Sequence, residues 1–508
     1  MRKVLLSLAA VALLAAACGS SAGQPGATTG PGNPGHHNPP VVYPPAATPY
    51  PTQPGSVTYE DPGTNPWVDP GRDGDSTFGL DVDTASYTIA QRYVHDGLAP
   101  DPSSVRVEEW VNAFAQGYPA PEEGAFAIVA DGGPTPFIDE GEVLLRIGLQ
   151  ARDVAPRDRQ RASLTFVVDT SGSMEQGGRL EMVKEAMRIL VRGLDRNDRV
   201  AIVAFGDKAR VVLGPTQATH EAAILDALDG LHPGGSTNLE GGLRLGYDLA
   251  RQTLTENDID RVVLASDGVA NVGLTDPAGI LGSIKRDADA GIELVSVGVG
   301  MGNYNDALLE QLADQGDGFY AYINTLDEAR RLFTEELTST LETVALDAKA
   351  QVSFDRTTVL AYRLVGYENR AIADRDFTNN DVDAGAIGAG HSVTALYALR
   401  LARDAAPHSH LATVRLRWTD PDAGRATELS REVRVDDLAG SFARANPYFR
   451  FDAIVAATAE ILRGSELGRR FDLRDVADVA NREAEHLPAS DEVHEFLNLL
   501  DDLGRLRG

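Results

Sequence analysis

The sequence predicts an α/β fold in which a mainly parallel sheet carries helices on both faces, flanked by a β-sandwich-like region and by terminal helices. Between residues 162 and 344, short β-branched segments alternate with helical patterns, as is typical of a parallel sheet with crossover helices. These strand segments are nearly all apolar, as strands covered on both faces must be. On either side of this unit the chain alternates apolar and polar residues, which indicates further strands.

Within the α/β unit, the most apolar segments are predicted to be strands. They are residues 163–168, 199–205, 261–266 and 292–299, with 319–323 at the edge. Residues 209–214 follow the second strand closely, and we expect them to be a hairpin partner at the edge of the sheet. A helix from about Arg179 to Leu194 has one apolar face, formed by Leu180, Val183, Met187, Leu190 and Leu194. Together these elements predict a six-stranded sheet.

The rest of the folded chain divides into helical and β-rich regions. In chain order we predict an N-terminal helical region (76–122), a first β-rich region (123–161), the α/β unit (162–344), a second β-rich region (345–440) and a C-terminal helical region (441–508). The strand candidates of the second β-rich region end near Trp418. Chain order permits the two β-rich regions to form one sandwich into which the α/β unit is inserted.

The composition limits the classes of partner. The chain has 508 residues, and its 75 Asp and Glu outweigh its 46 Lys and Arg, which gives a net charge of -29. Such a charge repels nucleic acid, so we expect no nucleic-acid partner. The single cysteine excludes an intramolecular disulfide and a CxxC site.

The N-terminus has the features of an export signal. Arg2 and Lys3 precede an apolar run from Val4 to Ala17, and Cys18 follows directly. The run is shorter than the roughly 20 residues that a transmembrane helix needs. Residues 1–17 resemble a bacterial lipoprotein signal peptide, which implies that Cys18 is acylated and that the protein is anchored to the outer face of a membrane in the cell envelope. Ordinary cleavage, with secretion of a soluble protein, is the alternative.

A linker follows this signal. Residues 18–75 are rich in Pro, Gly, Ser, Thr and Asn and contain few aliphatic residues. Such a segment buries too little apolar surface to offset its ordering entropy. We therefore expect a disordered linker that holds the folded part away from the membrane.

The most specific motif follows the first strand of the α/β unit. Asp169, Ser171 and Ser173 alternate in the loop after residues 163–168, so that one carboxylate and two hydroxyls can face one point. Thr237 precedes a helix in GGSTNLEGG, and Asp267 follows the strand at 261–266. Open α/β sheets bind ligands beyond the carboxyl ends of their strands. Because these five residues offer only oxygens, the expected ligand is Mg²⁺ or Mn²⁺ rather than Zn²⁺.

These elements, in this order, resemble the von Willebrand factor type A domain, which is Rossmann-like, and its metal-ion-dependent adhesion site. The resemblance implies that the hydroxyls contact the metal, that the aspartates often act through water, and that one position stays open for a partner's Asp or Glu. The whole chain after about residue 58 resembles bacterial YfbK-like lipoproteins with this domain. The matching features are NPWVDP, DVDTASY, LLRIGL and a C-terminal extension of strands followed by helices.

Some residues have alternative interpretations. Ser236 competes with Thr237 as a ligand, Asp267 could instead cap a turn, and Glu240 could approach the site although a solvated helix start is favoured. Four other groups of His or acidic residues are weaker candidates for metal binding. We interpret His36 and His37 as linker residues, His408 and His410 as loop residues, and Asp81 and Asp83 as the entry to a helix. We interpret Asp491, Glu492, Asp501 and Asp502 as solvated helix positions.

Three functions are consistent with this motif. The first is a non-enzymatic protein that binds an acidic side chain of a protein partner through Mg²⁺. The second is a metal-dependent hydrolase, because a bound cation lowers the pKa of its water. The third is a structural envelope protein in which the metal only stabilises the fold. The sequence contains no Gly-rich phosphate loop, GxSxG, HExxH or cysteine nucleophile, and we therefore expect that it is not an enzyme.

The lipid anchor can be tested through Cys18. The wild-type protein should partition into the detergent phase, and Cys18→Ser should abolish this because one residue carries the lipid. Stable anchoring usually takes more than one acyl chain, so mass spectrometry of the mature N-terminus should find at least two. A mature form that starts elsewhere and stays soluble without detergent would contradict the lipoprotein hypothesis.

Overall fold

The structure is a computed structural model of the chain. It describes residues 63–80, 84–155, 159–255, 258–267, 277–300, 306–323, 325–330, 333, 341–380, 382, 384–421 and 423–506. Cys18, most of the predicted linker, and the pair Asp81 and Asp83 lie outside these ranges. None of the helices that the structure describes is both long enough and apolar enough to cross a membrane.

The described strands and helices alternate through most of the chain. The strands are β1 (Asp75–Gly79), β2 (Phe126–Gly133), β3 (Glu142–Ala151), β4 (Arg161–Asp169), β5 (Arg199–Phe205), β6 (Ala209–Gln217), β7 (Asp258–Ser266), β8 (Ile292–Val299), β9 (Tyr320–Ile323), β10 (Thr343–Phe354), β11 (Val359–Val365), β12 (Ile387–Gly388), β13 (Ser392–Leu401), β14 (His410–Asp420) and β15 (Arg425–Arg434). The helices are α1 (Ala85–His95), α2 (Val107–Asn112), α3 (Arg179–Gly193), α4 (Glu221–Asp229), α5 (Leu239–Ala250), α6 (Pro277–Ala288), α7 (Asp306–Gln315), α8 (Leu326–Arg330), α9 (Pro447–Leu462), α10 (Leu473–Glu483) and α11 (Asp491–Leu506).

The α/β unit contains a six-stranded sheet in the order β6-β5-β4-β7-β8-β9. All neighbouring pairs are parallel except β5 and β6, which are antiparallel, so the predicted fold class is confirmed. From β4 the chain first builds one side of the sheet through β5 and β6, and then crosses to β7 on the other side. This reversal makes the carboxyl end of β4 the switch point, where a crevice for a ligand forms.

Helices cover both faces of this sheet because alternate residues of its strands point to opposite sides. On β4, Leu164, Phe166 and Val168 pack with residues of α3. Val167, between them in sequence, packs with residues of α5 on the other face. Both faces of β4 are therefore dry, and the polar residues that follow it stand at the end of a rigid strand.

The strands outside this unit form two antiparallel sheets. One has the order β1-β10-β14-β15, with β12 also paired to β10, and the other has the order β11-β13-β3-β2. Their inner faces share one core, in which Phe126 contacts Trp418 edge to face at 5.0 Å and Phe354 stacks on Tyr362 at 4.4 Å. Because β3 precedes the α/β unit and β10 follows it, the unit is an insertion in a β-sandwich.

Two strands of the sandwich differ from the sequence analysis. We expected the strands to end near Trp418, but β15 continues the sheet, and β1 adds a strand to the predicted N-terminal helical region. β15 lies at the edge of its sheet and is largely exposed, with charged residues that edge strands tolerate. It therefore lacks the apolar alternation by which the other strands were identified.

The packed chain also begins before the predicted end of the linker at residue 75. The Asn65 side-chain amide donates to the backbone carbonyl oxygens of Leu364 and Gly366, at 3.2 and 2.7 Å. Val68 forms a β-bridge with Tyr362. These contacts join the segment to β11 and the residue after it, which are distant in sequence, so the local sequence pattern did not predict them.

The C-terminal helices pack on the sandwich around a buried ion-pair cluster. Arg146 of β3 is 1% exposed and donates to both carboxylate oxygens of Asp131, at 2.8 and 2.6 Å. It also donates to Asp452 of α9 at 2.9 Å. Burial raises the pKa of Asp452 to about 6, although Arg146 opposes this shift. The cluster joins the sandwich to α9, which is buried on nearly all sides.

We predict that Arg146→Met lowers the free energy of unfolding by about 3–5 kcal/mol, because it leaves a buried carboxylate without its cation. Arg92→Met is the matched control, since the Arg92 ion pair with Asp96 is about one-third exposed and contributes under about 1 kcal/mol. Urea unfolding at neutral pH measures both changes. Equal effects of the two substitutions would show that the buried cluster does not hold the C-terminal helices.

Candidate functional site

Asp169 ends β4 and is fully buried. One of its oxygens, Oδ1, accepts a hydrogen bond from the Ser171 backbone N–H at 2.8 Å. The other, Oδ2, accepts from the Ser266 hydroxyl at 2.7 Å. Burial and, next, the negative charge of Asp267 raise the pKa of Asp169 to about 6. The Asp169 carboxylate therefore links the loop after β4 to the end of β7. Its ionised form is destabilised there by burial and by the nearby Asp267.

The two predicted serine ligands lie side by side in the loop after Asp169. The Oγ atoms of Ser171 and Ser173 are 3.0 Å apart. Met174 is fully buried, and its N–H donates to the carbonyl oxygen of Ser171 at 3.1 Å. This turn keeps both hydroxyls at the edge of the sheet.

Thr237 is buried in the loop between α4 and α5. Its neighbours are hydrogen bonded to the two adjacent loops: the Gly172 N–H donates to the Gly235 carbonyl at 3.0 Å, and the Asn238 N–H donates to the Gly206 carbonyl at 2.9 Å. The Asn238 side chain also caps α5. Thr237 is therefore fixed between two anchored positions, beside the loops that follow β4 and β5.

Ser236, the competitor of Thr237, has a different partner. Its N–H and its hydroxyl both donate to Oδ1 of Asp207, each at 2.7 Å. These two bonds lower the pKa of Asp207 below its usual range. Asp207 was not predicted from the sequence, although its position two residues after β5 matches that of Ser171 after β4.

Asp267 directly follows β7 and is almost completely buried. A nitrogen of Arg179, the first residue of α3, donates to its Oδ2 at 2.7 Å. The same nitrogen is 3.3 Å from the carbonyl oxygen of Ser173. From the sequence, Arg179 was expected only to begin a helix. Glu240 forms an ion pair with Arg244 one turn along α5, at 2.9 Å.

The structure thus brings the five predicted ligands to one edge of the sheet. Direct hydrogen bonds connect Asp169, Ser171 and Ser173, and Arg179 connects Asp267 to the same loop. Within the described residues, no three or more His, Cys, Asp or Glu side chains converge as a metal-binding group. The candidate site therefore depends on hydroxyls as much as on carboxylates.

The geometry of the two hydroxyls fits a small divalent cation. In an octahedral site with Mg²⁺ at 2.0–2.1 Å, adjacent oxygens lie about 2.9 Å apart. The 3.0 Å between the Ser171 and Ser173 hydroxyl oxygens is compatible with this spacing. The same distance is that of a hydrogen bond, which holds the two hydroxyls together in the absence of an ion.

His408 and His410, interpreted from the sequence as loop residues, have separate polar partners. Nδ1 of His408 lies 2.7 Å from a carboxylate oxygen of Asp436, and Nε2 of His410 is hydrogen bonded to the Thr413 hydroxyl at 3.0 Å. His408 lies in the loop before β14, as expected, whereas His410 is the first residue of that strand.

A cavity of about 330 Å³ lies away from the candidate site, between the N-terminal helices, the edge strand β9 and the start of β13. None of the five predicted ligands lines it. His391 borders it, and burial lowers the pKa of this imidazole to about 4, so the side chain is neutral at physiological pH.

Comparisons with protein families match three parts of the chain. Residues 164–269 match the model of the von Willebrand factor type A domain. Residues 339–506 match a model described as the C-terminal part of the uncharacterized protein YfbK, and residues 53–146 match a model described as von Willebrand factor. The family resemblance drawn from the sequence motifs is confirmed.

Individual proteins resemble this chain to different extents. The YfbK protein of Escherichia coli K12 is 36% identical over 438 residues, which are 81% of this chain and 75% of the relative. A protein of Synechocystis, sll0103, is 31% identical over 38% of this chain and 44% of its own length. Among solved structures, a von Willebrand factor type A protein from Catenulispora acidiphila has 18% identity and a TM-score of 0.44, and the match covers 71% of this chain and 87% of that one.

The loop that carries Thr237 can be tested at Gly235, whose φ of +83° suits glycine and whose added Cβ would lie 2.8 Å from the Asp207 carboxylate. We predict that Gly235→Ala lowers the free energy of unfolding by about 2 kcal/mol. Gly214→Ala is the control, because nothing lies within 4 Å of the added methyl group. Urea unfolding compares them; no difference would show that the loop does not depend on this turn.

Proposed function

The chain belongs to the YfbK family of von Willebrand factor type A proteins, and on this premise we propose that it binds a protein partner through a divalent metal ion. Von Willebrand factor type A domains generally mediate protein–protein interaction, often with a metal. The proposed ion is Mg²⁺, with Mn²⁺ as its substitute, and the proposed partner presents an Asp or Glu. The proposed location is the outer face of a membrane, to which Cys18 anchors the protein.

One observation carries this proposal: two hydroxyls at the separation of adjacent octahedral ligands stand beside two buried carboxylates. The hydroxyls are those of Ser171 and Ser173, and the carboxylates are those of Asp169 and Asp267. A pair of buried carboxylates is unfavourable unless cations balance it. Arg179 offsets one of these two charges, and a dication together with a carboxylate of the partner would complete the balance.

Each residue has a distinct task in this proposal. Ser171, Ser173 and Thr237 would hold the ion directly, and Asp169 and Asp267 would contribute charge at its far side. The Ser266 hydroxyl orients Asp169 through its 2.7 Å hydrogen bond. Mg²⁺ usually keeps part of its coordination open to water or to a ligand, and a carboxylate of the partner suits that position.

Binding is favoured over hydrolysis because the carboxylates of the site are already engaged. Both oxygens of Asp169 accept hydrogen bonds, and Asp267 is paired with Arg179. A general base must reach the proton that it removes, and both carboxylates are nearly inaccessible to solvent. Capture of a partner's carboxylate by the ion needs no general base.

The substitution Asp169→Asn tests the proposed site. It should abolish metal-dependent capture of partners from cell extracts, because it removes a charge on which the ion depends. It should also raise the stability of the metal-free protein at pH 7.5, by at most about 3 kcal/mol. The raised pKa means that the ionised carboxylate destabilises the fold above about pH 6, and this effect fades as the pH falls toward 3.8.

The control is Asp248→Asn, which removes an exposed carboxylate from α5, 53% exposed in its pair with Arg251. It should change neither capture nor stability measurably. The assays are pull-down in Mg²⁺ with and without EDTA, and urea unfolding without metal. Capture by Asp169→Asn that still responds to EDTA would refute the proposed metal site.

A further inference from the structure

Arg179 forms a buried ion pair with one of the proposed metal ligands. Its side chain is 9% exposed, and it donates to Oδ2 of Asp267, which is fully buried, at 2.7 Å. A second contact, 3.3 Å long, reaches the carbonyl oxygen of Ser173 in the loop that also carries Ser171. A cation supplied by the chain is therefore in place beside the proposed site for a dication.

We propose that Arg179 is an internal counter-ion that competes with the divalent metal for Asp267 and thereby makes metal binding depend on the partner. This inference rests on the proposed function, since it concerns the affinity of that same site. Arg179 stabilises the metal-free state, and the metal must share Asp267 with it or displace it.

The position of Arg179 supports this role. It is the first residue of α3, where the helix dipole disfavours a positive charge and favours an acidic one. The helix therefore does not explain an arginine here, whereas the buried carboxylate of Asp267 does. The N-cap residue, Gly178, has a φ of +73° and no side chain with which to cap the helix. The conformation of this helix end is therefore set by the preceding loop.

Gly300, directly after β8, supplies the space that the arginine needs. A Cβ at this position would overlap the Arg179 side chain, and the φ of Gly300 is +77°. The Arg179 side chain thus packs directly against the backbone that follows β8. Arg179 therefore connects α3 with the ends of β7 and β8, whereas an ion pair at the surface has no such packing.

Charge balance explains the dependence on a partner. Two carboxylates and Arg179 leave one negative charge at the site, and a dication changes this to one positive charge. In a poorly solvated place that excess is unfavourable, and it is removed when a partner contributes a carboxylate. Without Arg179, the two carboxylates would balance the dication alone.

Titration calorimetry with Mg²⁺ and with Mn²⁺, in the absence of any partner, tests this inference on the full chain. Arg179→Gln should bind the metal at least about tenfold more tightly than wild type, because one repulsive charge and one competitor for Asp267 are gone. Arg192→Gln is the matched control. It removes the same charge from the same helix, about 20 Å farther along and 57% exposed, and should leave the affinity unchanged.

A second variant covers the case in which Arg179→Gln does not fold. Arg179→Lys keeps the charge but replaces the planar fork with a compact, strongly hydrated ammonium group, which should hold Asp267 less firmly. It should bind the metal several-fold more tightly than wild type.

The outcomes separate this inference from the proposed function. Equal metal affinity in wild type and in the folded Arg179 variants would overturn the inference and leave the metal site intact. No metal binding by wild type or by any variant would overturn both. Binding by Arg179→Gln alone would support the inference, since the wild-type site would then be closed by its own cation.

Discussion

The candidate site depends on one constraint, the burial of two carboxylates at the ends of the adjacent parallel strands β4 and β7. Asp169 ends the first strand and Asp267 follows the second, and both are nearly inaccessible to solvent. The surrounding polar contacts compensate this charge: Ser266 and the Ser171 N–H donate to Asp169, and Arg179 donates to Asp267. The loops therefore take their shape from the same groups that we propose to bind a cation.

The rest of the chain holds this edge in place. The α/β unit is inserted in a β-sandwich, and its helix α7 is tied to the flanking regions through Glu310. The carboxylate of Glu310 lies 3.2 Å from Arg106 and 2.8 Å from Arg370, which belong to the N-terminal region and to the segment after β11. These ion pairs connect α7, which packs on the sheet of the α/β unit, to the flanking regions. The loops at the carboxyl edge of that sheet carry the polar groups of the site.

The sequence predicted the parts of the fold that have a strong periodic or apolar signal. The six strands of the α/β unit and the three loops of the site belong to this class, because buried strands and motif spacing are local properties. It did not predict β1 and β15, which lie at sheet edges, or the pairing of Val68 with Tyr362, which joins distant segments. Arg179 was missed as part of the site because its partner Asp267 is 88 residues away.

Crystals of the protein grown in Mn²⁺ show whether the three loops hold a divalent cation. An anomalous difference map should show one Mn²⁺ at the carboxyl end of β4, within bonding distance of the Ser171 and Ser173 hydroxyls, roughly 2.2 Å. A map with no peak there at saturating Mn²⁺, or with the ion bound only at other residues, would show that these loops do not form a metal site.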